Sequence, residues 1–307
     1  MNIHRLSIPL FACLLASAAF AADTCGGHGT RDTMVVTTQW LAGHLKDPNL
    51  VILSIAQKDD YAKEHIPGAR SLNLNDISTP MVMGQLMLEL PPMDQLARTF
   101  TALGITNNSR IVLYVANPNG LATMTRVYLT FDAAGLGKQA AILDGGLAAW
   151  KADGHPVSTE VPTAKPGKLE LCPQSDVITV ADWVRANAGH SGTAIVDARL
   201  ERFYTGEAAG SNHDGSEQRK GHIPGARNLP FNTFTDANGK FLPADEWKKK
   251  YAAAGIKTGD RVVSYCHIGQ QATVVYFVSR YLGYDARLYD GSWEDWSAHT
   301  DYPVETK

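Results

Sequence analysis

Short apolar runs rich in β-branched residues alternate along the chain with longer segments whose apolar residues recur at helical spacing. The runs predict buried strands at 50–55, 110–115, 193–197 and 261–265. The helical segments lie at 94–103, 123–136, 244–254 and 272–282. Continuous apolar strands separated by helices are typical of a mostly parallel sheet covered on both faces, so the sequence predicts an α/β fold.

This pattern occurs twice because the two halves of the chain resemble each other. The hexapeptide His-Ile-Pro-Gly-Ala-Arg stands at 65–70 and returns at 222–227. An Asp-Gly-Gly sequence at 144–146 and an Asp-Gly-Ser sequence at 290–292 each precede a tryptophan, and the matched motifs keep the same order. The order indicates a duplication with loop insertions, of which the largest is the polar stretch 206–220, predicted to be a surface loop.

Three boundaries follow from the repeat and from local composition. We expect a first domain at 34–155, a proline-bearing linker at 156–175 and a second domain at 176–303. Residues 1–21 have a basic start, an apolar run and small residues at 19–21, as in a secretory signal peptide. The apolar run is too short to span a bilayer as a helix, so we expect cleavage and a periplasmic or secreted protein with no membrane partner.

Charge and composition narrow the possible partners. The 307 residues include 28 Lys and Arg against 31 Asp and Glu, a net charge of -3 without a basic block. Nucleic acid is therefore not an expected partner. No cofactor and no metal site are predicted, since the methionines between 81 and 93 are interpreted as packing residues rather than copper ligands.

The number of cysteines in the chain indicates that at least one thiol remains unpaired. Removal of the signal peptide leaves Cys25, Cys172 and Cys266, and three cysteines cannot all pair. Cys25 and Cys172 either form a disulfide that ties the mature N-terminus to the linker or both stay reduced, and the sequence does not decide between these. In either case Cys266 is expected to be free.

Cys266 lies where ligands bind in α/β proteins, at the carboxyl end of a predicted strand. The loop 266–272 reads Cys-His-Ile-Gly-Gln-Gln-Ala and leads into a helix, whereas the first half has Ala116 in the position of the cysteine. Backbone N–H groups and a helix N-terminus favour the thiolate form of such a cysteine, which makes Cys266 a candidate nucleophile. The alternative is a buried structural cysteine.

Four features occur together in this chain: the repeated HIPGA motifs, the CxxGxxA loop, the DGG and DGS motifs with their tryptophans, and a first half without the cysteine. In this combination the chain resembles the two-domain rhodanese sulfurtransferases, over about residues 34 to 303. The resemblance implies two tandem rhodanese-like domains, of which the second is catalytic. It also implies that Cys266 takes a sulfur from thiosulfate or 3-mercaptopyruvate, becomes a persulfide and passes the sulfur to cyanide or a thiol, including a protein thiol.

The remaining site residues follow from the loop and from the resemblance. Candidate substrate-binding residues are Arg202, His267, Ile268, Gly269, Gln270, Gln271 and Ala272. His267 is either a cation at mildly acidic pH or a solvent-facing loop residue. Arg202 matches the family arginine that orients the anionic donor, with a surface salt bridge as the alternative. Asp197 and Arg199 are expected to support the site by a charge-assisted bond.

Other function classes stay open at this stage. A noncatalytic rhodanese-type binding module would have the same fold without persulfide chemistry. A cysteine-dependent phosphatase is less expected, because Ala272 ends the loop where an arginine would grip the phosphate. A thiol oxidoreductase is also less expected, since Cys266 has no second cysteine nearby in the sequence.

Overall fold

The computed structural model describes residues 26–212 and 214–307. The predicted signal peptide at 1–21 and the candidate disulfide partner Cys25 lie outside these residues. Across the described residues, the chain forms two five-stranded parallel sheets, each built from one half of the sequence.

The first half forms a sheet in the order β1-β5-β4-β2-β3. Its elements are α1 (Arg31–Met34), β1 (Val35–Val36), α2 (Thr38–His44), β2 (Leu50–Ile55), α3 (Lys58–Lys63), β3 (Arg70–Ser71), α4 (Met93–Ala102), β4 (Arg110–Val115), α5 (Leu121–Ala133), β5 (Ala140–Leu143) and α6 (Gly146–Ala152). Short 3-10 turns at Leu74–Ile77 and Pro118–Gly120 complete it.

The second half repeats this arrangement with the strand order β6-β10-β9-β7-β8. Its elements are β6 (Ile178–Thr179), α7 (Ala181–Asn187), β7 (Thr193–Asp197), α8 (Glu201–Tyr204), β8 (Arg227–Asn228), α9 (Ala244–Ala253), β9 (Arg261–Tyr265), α10 (Ala272–Leu282), β10 (Asp285–Tyr289) and α11 (Ser292–Ala298), with a 3-10 turn at Phe231–Thr233. The predicted α/β fold is confirmed, and the four predicted strands have the predicted bounds.

The central strands are apolar throughout because both faces of each sheet are covered. In β2, Val51 and Leu53 pack into one hydrophobic cluster, whereas Ile52 packs into another. Alternate residues of a strand point to opposite faces, so an uninterrupted apolar run is the pattern expected of a strand covered on both sides.

Helices α5 and α10 join the two halves. Both are buried along most of their length, and their residues belong to a single hydrophobic cluster that draws on both sheets. The ring of Tyr128 meets that of Phe277 edge-on with centroids 4.8 Å apart, and the hydroxyls of Thr125 and Thr273 are hydrogen-bonded at 2.7 Å. The two domains therefore share a core, which places the first domain directly against the helix that follows Cys266.

The predicted linker at 156–175 contains no helix or strand and follows the surface of the first domain. The backbone N–H of Gly167 donates to the carbonyl of Thr101 at 2.9 Å, and that of Cys172 donates to the carbonyl of Ala134 at 3.1 Å. Cys172 is disulfide-bonded, and its partner lies outside the described residues, as Cys25 does.

Candidate active site

Cys266 directly follows β9 and begins the loop that enters α10. Its thiol is free and its side chain is 0% exposed. The carboxyl ends of parallel strands form the crevice in which α/β proteins bind ligands. The candidate nucleophile thus lies in the expected place, with its side chain buried.

The loop after Cys266 presents backbone N–H groups that no protein acceptor uses. Among the described residues, none of the five amides from His267 to Gln271 donates a hydrogen bond to the chain. In the first half, by contrast, the amides of Asn119 and Gly120 both donate to Asn117. Unengaged amides at the start of an eleven-residue helix form a cradle for an anion. The second domain therefore has an anion cradle where the first has a closed turn.

Gly269 gives this loop its shape. Its φ is +75°, a conformation that residues with a side chain rarely adopt. A Cβ at this position would lie 2.6 Å from the carbonyl oxygen of Asp290. Glycine is required here because the loop passes in contact with the Asp-Gly-Ser segment.

The Asp-Gly-Ser segment fixes the backbone of the cysteine. The hydroxyl of Ser292 accepts a hydrogen bond from the N–H of Cys266 at 3.1 Å and donates one to the carbonyl of Tyr289 at 2.9 Å. The N–H of Trp293 donates to the carbonyl of Cys266 at 2.9 Å. Ser292 has a φ of +53°, so it keeps a strained conformation in which its hydroxyl reaches the cysteine.

Asp197 and Arg199 form a buried pair beside the cysteine. The Nε of Arg199 donates to Asp197 Oδ1 at 3.0 Å, and its Nη2 donates to Oδ2 at 2.5 Å. Burial opposes the charge of Arg199, but Asp197 and, more weakly, Tyr265 and Cys266 outweigh burial and raise the pKa of Arg199. The guanidinium also lies 4.5 Å from the ring centroid of Trp293. The pair places the guanidinium of Arg199, with its charge balanced by Asp197, within electrostatic range of Cys266.

His267 is neither of the alternatives that the sequence left open. Burial, with a further contribution from Arg199, lowers its pKa to about 4, so the imidazole is neutral at mildly acidic pH rather than a cation. It is also half-buried rather than solvent-facing, with its ring edge-on to Phe203 at 4.6 Å.

Arg202 also lowers the pKa of His267, so the positive charge of Arg202 acts on the loop. Arg202 is exposed, and its guanidinium lies 4.7 Å from the ring centroid of Phe203 rather than in an ion pair with another described residue.

The other loop residues have different surroundings. Gln270 turns toward the first domain, where its Nε2 donates to the hydroxyl of Thr123 at 2.9 Å. Gln271 has a buried Oε1 with no partner among the described residues. Ala272 is buried, and its carbonyl accepts from the hydroxyl of Ser264 at 3.0 Å. Ile268 is half-buried. The structure brings these residues together around one loop, and their roles toward a substrate stay predictions.

One residue of the site was missed by the sequence analysis. Arg126 of α5 is 0% exposed and reaches from the first domain into the second. Its Nη1 donates to the carbonyl of Gly269 at 3.0 Å, and its guanidinium forms an ion pair with Asp290. Its Nη2 also donates to the carbonyl of Leu88. An arginine in a helical segment whose only other charged residue is Asp132 was the signal that could have revealed it.

No group of three or more His, Cys, Asp or Glu side chains that could hold a metal ion is found in the part of the chain that the structure describes. Within that part, no helix has the length and apolar character needed to cross a membrane.

Both halves match the family model described as Rhodanese-like domain, over residues 37–153 and 180–299. The chain belongs to the rhodanese-like family. The match confirms the predicted resemblance and the arrangement as two tandem rhodanese-like domains.

Relatives of similar length support this assignment. "Sulfur carrier protein TtuD" of Thermus thermophilus is 30% identical over 88% of this chain and 96% of its own length. "Probable 3-mercaptopyruvate sulfurtransferase" of Pseudomonas aeruginosa is 32% identical over 89% of this chain and 98% of its own length. The solved structure of SseA from Escherichia coli has a TM-score of 0.72 at 24% identity, covering 85% of this chain and 99% of that one. This structural similarity shows that the rhodanese fold is shared.

Proposed function

We propose that this rhodanese-like protein is a sulfurtransferase that carries sulfur as a persulfide on Cys266. The observation that carries the proposal is a free cysteine at the head of a loop whose five following amides are unengaged. A persulfide anion needs converging hydrogen-bond donors, and the loop 266–272 contains no acidic residue. Relatives named as sulfurtransferases give independent support.

The reaction proceeds in two displacements. The Cys266 thiolate attacks the outer sulfur of thiosulfate, and the sulfur–sulfur bond breaks as sulfite leaves with the electron pair. With 3-mercaptopyruvate, the carbon–sulfur bond breaks instead, and the pyruvate enolate that leaves takes up a proton. A nucleophilic acceptor, cyanide or a thiol, then attacks the outer sulfur of the persulfide, and Cys266 leaves as the thiolate.

Charge near the loop supports a donor with one negative charge. His267 is neutral, and the charge of Arg199 is balanced by Asp197 at hydrogen-bond distance. Arg202 then supplies the unbalanced cation. A single arginine suits a monoanionic carboxylate such as 3-mercaptopyruvate better than the dianion thiosulfate, for which a second cation would be needed.

Intact-mass spectrometry tests the proposal. The full chain is incubated with thiosulfate or with 3-mercaptopyruvate, and the wild type is compared with Cys266→Ser, which keeps a similar shape. We expect the wild type to gain about one sulfur mass, faster from 3-mercaptopyruvate, and the variant to gain none. An adduct that persists in the variant would overturn the assignment to Cys266. No adduct from either donor would favour the noncatalytic binding module.

We also propose that the protein works outside the cytoplasm. The N-terminal sequence has the features of a secretory signal, and a disulfide at Cys172 is typical of an oxidising compartment. Fractionation of cells expressing the full chain, followed by determination of the mature N-terminus, tests this. An unprocessed protein recovered with the cytoplasm would contradict it.

A further inference from the structure

Gln218 lies in the insertion, residues 206–220, which has no counterpart in the first half. The insertion was predicted to be a surface loop, and half of its described residues are exposed. Gln218 is instead buried, with only 3% of its surface accessible. A long polar side chain is buried only where its hydrogen-bonding groups have a use, so its surroundings deserve an explanation.

The carboxamide of Gln218 lies against the catalytic loop. Its Oε1 is 3.3 Å from Nδ1 of His267, the residue after the nucleophile. Because a carboxamide oxygen can only accept, this hydrogen bond requires the tautomer of His267 in which Nδ1 carries the proton. No partner of the other ring nitrogen, Nε2, is found among the described residues.

Gly210 makes this contact possible from the other end of the insertion. Its carbonyl accepts a hydrogen bond from the N–H of Gln218 at 2.9 Å. A Cβ on Gly210 would lie 2.3 Å from Oε1 of Gln218 and 2.7 Å from Nδ1 of His267. The absence of a side chain at 210 therefore leaves the room in which the carboxamide meets the imidazole.

The amide nitrogen of Gln218 has no such partner. Its Nε2 is buried and donates to no acceptor among the described residues. It shares the carboxamide with Oε1 and therefore lies near His267, the first residue of the loop whose amides are unengaged. Two buried N–H donors without an acceptor are costly, and an acceptor group on a ligand would satisfy them.

We propose that Gln218 binds the anionic end of the sulfur donor through its Nε2 amide while its Oε1 orients His267. This inference rests on the sulfur-transfer function proposed above. Arg202, whose charge also acts on His267, then supplies the cation and Gln218 the neutral donor for the same carboxylate or sulfonate. The insertion thereby gives the second domain a substrate contact that the first domain lacks.

The two half-reactions separate this role from a structural one. Loading of Cys266 is measured in single turnovers against the concentration of thiosulfate or 3-mercaptopyruvate, and discharge of the preformed persulfide is measured with cyanide. Gln218→Glu keeps an oxygen for His267 but replaces the donor with an acceptor that repels the substrate. Gln218→Leu removes both functions at similar volume. Glu217→Leu, an exposed neighbour in the insertion, is the matched control.

We expect Gln218→Glu to raise the donor concentration needed for half-maximal loading about tenfold or more, as the loss of a hydrogen bond to a charged group implies. Gln218→Leu should act in the same direction, whereas discharge to cyanide and the control should stay within about twofold of wild type. Unchanged loading, or equal slowing of loading and discharge, would overturn the role of Gln218. A wild type that neither donor loads would instead overturn the proposed function.

Discussion

The ion pair between Arg126 and Asp290 joins the first domain to the second beside the loop 266–272, and removing one partner is a direct test of that connection. Arg126 is 0% exposed and the side chain of Asp290 is 6% exposed. In Arg126→Ala, the carboxylate keeps a hydrogen bond from the N–H of Leu90 at 3.3 Å but loses its counter-charge. The carbonyls of Leu88 and Gly269 lose their donor as well.

The expected cost is large because the stranded charge is buried. Removing one partner of a buried ion pair costs about 3–5 kcal/mol, and each unpaired carbonyl adds about 1 kcal/mol. Arg126→Ala should thus lose at least about 5 kcal/mol of the free energy of unfolding. Arg126→Met combined with Asp290→Asn removes both charges, so it should recover about 2 kcal/mol relative to the single variant.

Denaturant unfolding followed by tryptophan fluorescence measures these differences, and persulfide loading measures the effect on the site. Arg98→Ala is the control, because Arg98 pairs with Asp94 in the same domain while both side chains are 70% exposed. An exposed pair contributes less than about 1 kcal/mol. If Arg126→Ala and Arg98→Ala destabilise equally, or if Arg126→Ala loads sulfur at the wild-type rate, the reasoning is refuted.

Three further predictions concern the loop and the N-terminal segment. Ser292→Ala and Ser292→Gly both lose the hydroxyl that accepts the N–H of Cys266, but only the alanine variant keeps the backbone strain at φ +53°. In thermal melting, the alanine variant should therefore be about 1 kcal/mol less stable than the glycine variant. Equal melting temperatures of the two variants would refute the strain. His267→Arg adds a cation and should raise kcat/KM for thiosulfate relative to 3-mercaptopyruvate, and an unchanged ratio would count against the charge argument. A hydrogen bond to Asp132 raises the pKa of His28 above 6.5 in the folded protein. Its stabilising effect is then full below that pH and is lost as pH rises through the folded value, so unfolding midpoints of wild type and His28→Asn should converge in alkaline solution.

The central strands could be predicted from the sequence because burial on both faces leaves a continuous apolar signal. Strands β2, β4, β7 and β9 all show it. The edge strands β1, β3, β6 and β8 have two residues each, and such short pairing is decided by neighbouring strands rather than by local pattern. Strand β10 was missed because its sequence, Asp-Ala-Arg-Leu-Tyr, lacks a β-branched run.

The candidate site was predictable only where it is local in the sequence. Cys266, its loop and the Asp197–Arg199 pair stand in recognisable motifs. The contributions of Arg126 and Gln218 depend on contacts with residues 143 and 49 positions away. The low pKa of His267 could not be predicted either, because it is caused mainly by burial, and the burial of this residue cannot be read from the sequence alone.

Helix α5 carries no candidate nucleophile, yet its side chains form hydrogen bonds with the loop that follows Cys266. A shortened protein that contains only the second half would therefore lose the α5 side chains that hold the loop after Cys266. Mutant libraries designed to change the preferred sulfur donor should therefore also vary Thr123 and Arg126, although both residues lie in the half that lacks Cys266. In this duplicated protein, the half without the candidate nucleophile helps to hold the loop of the half that carries it.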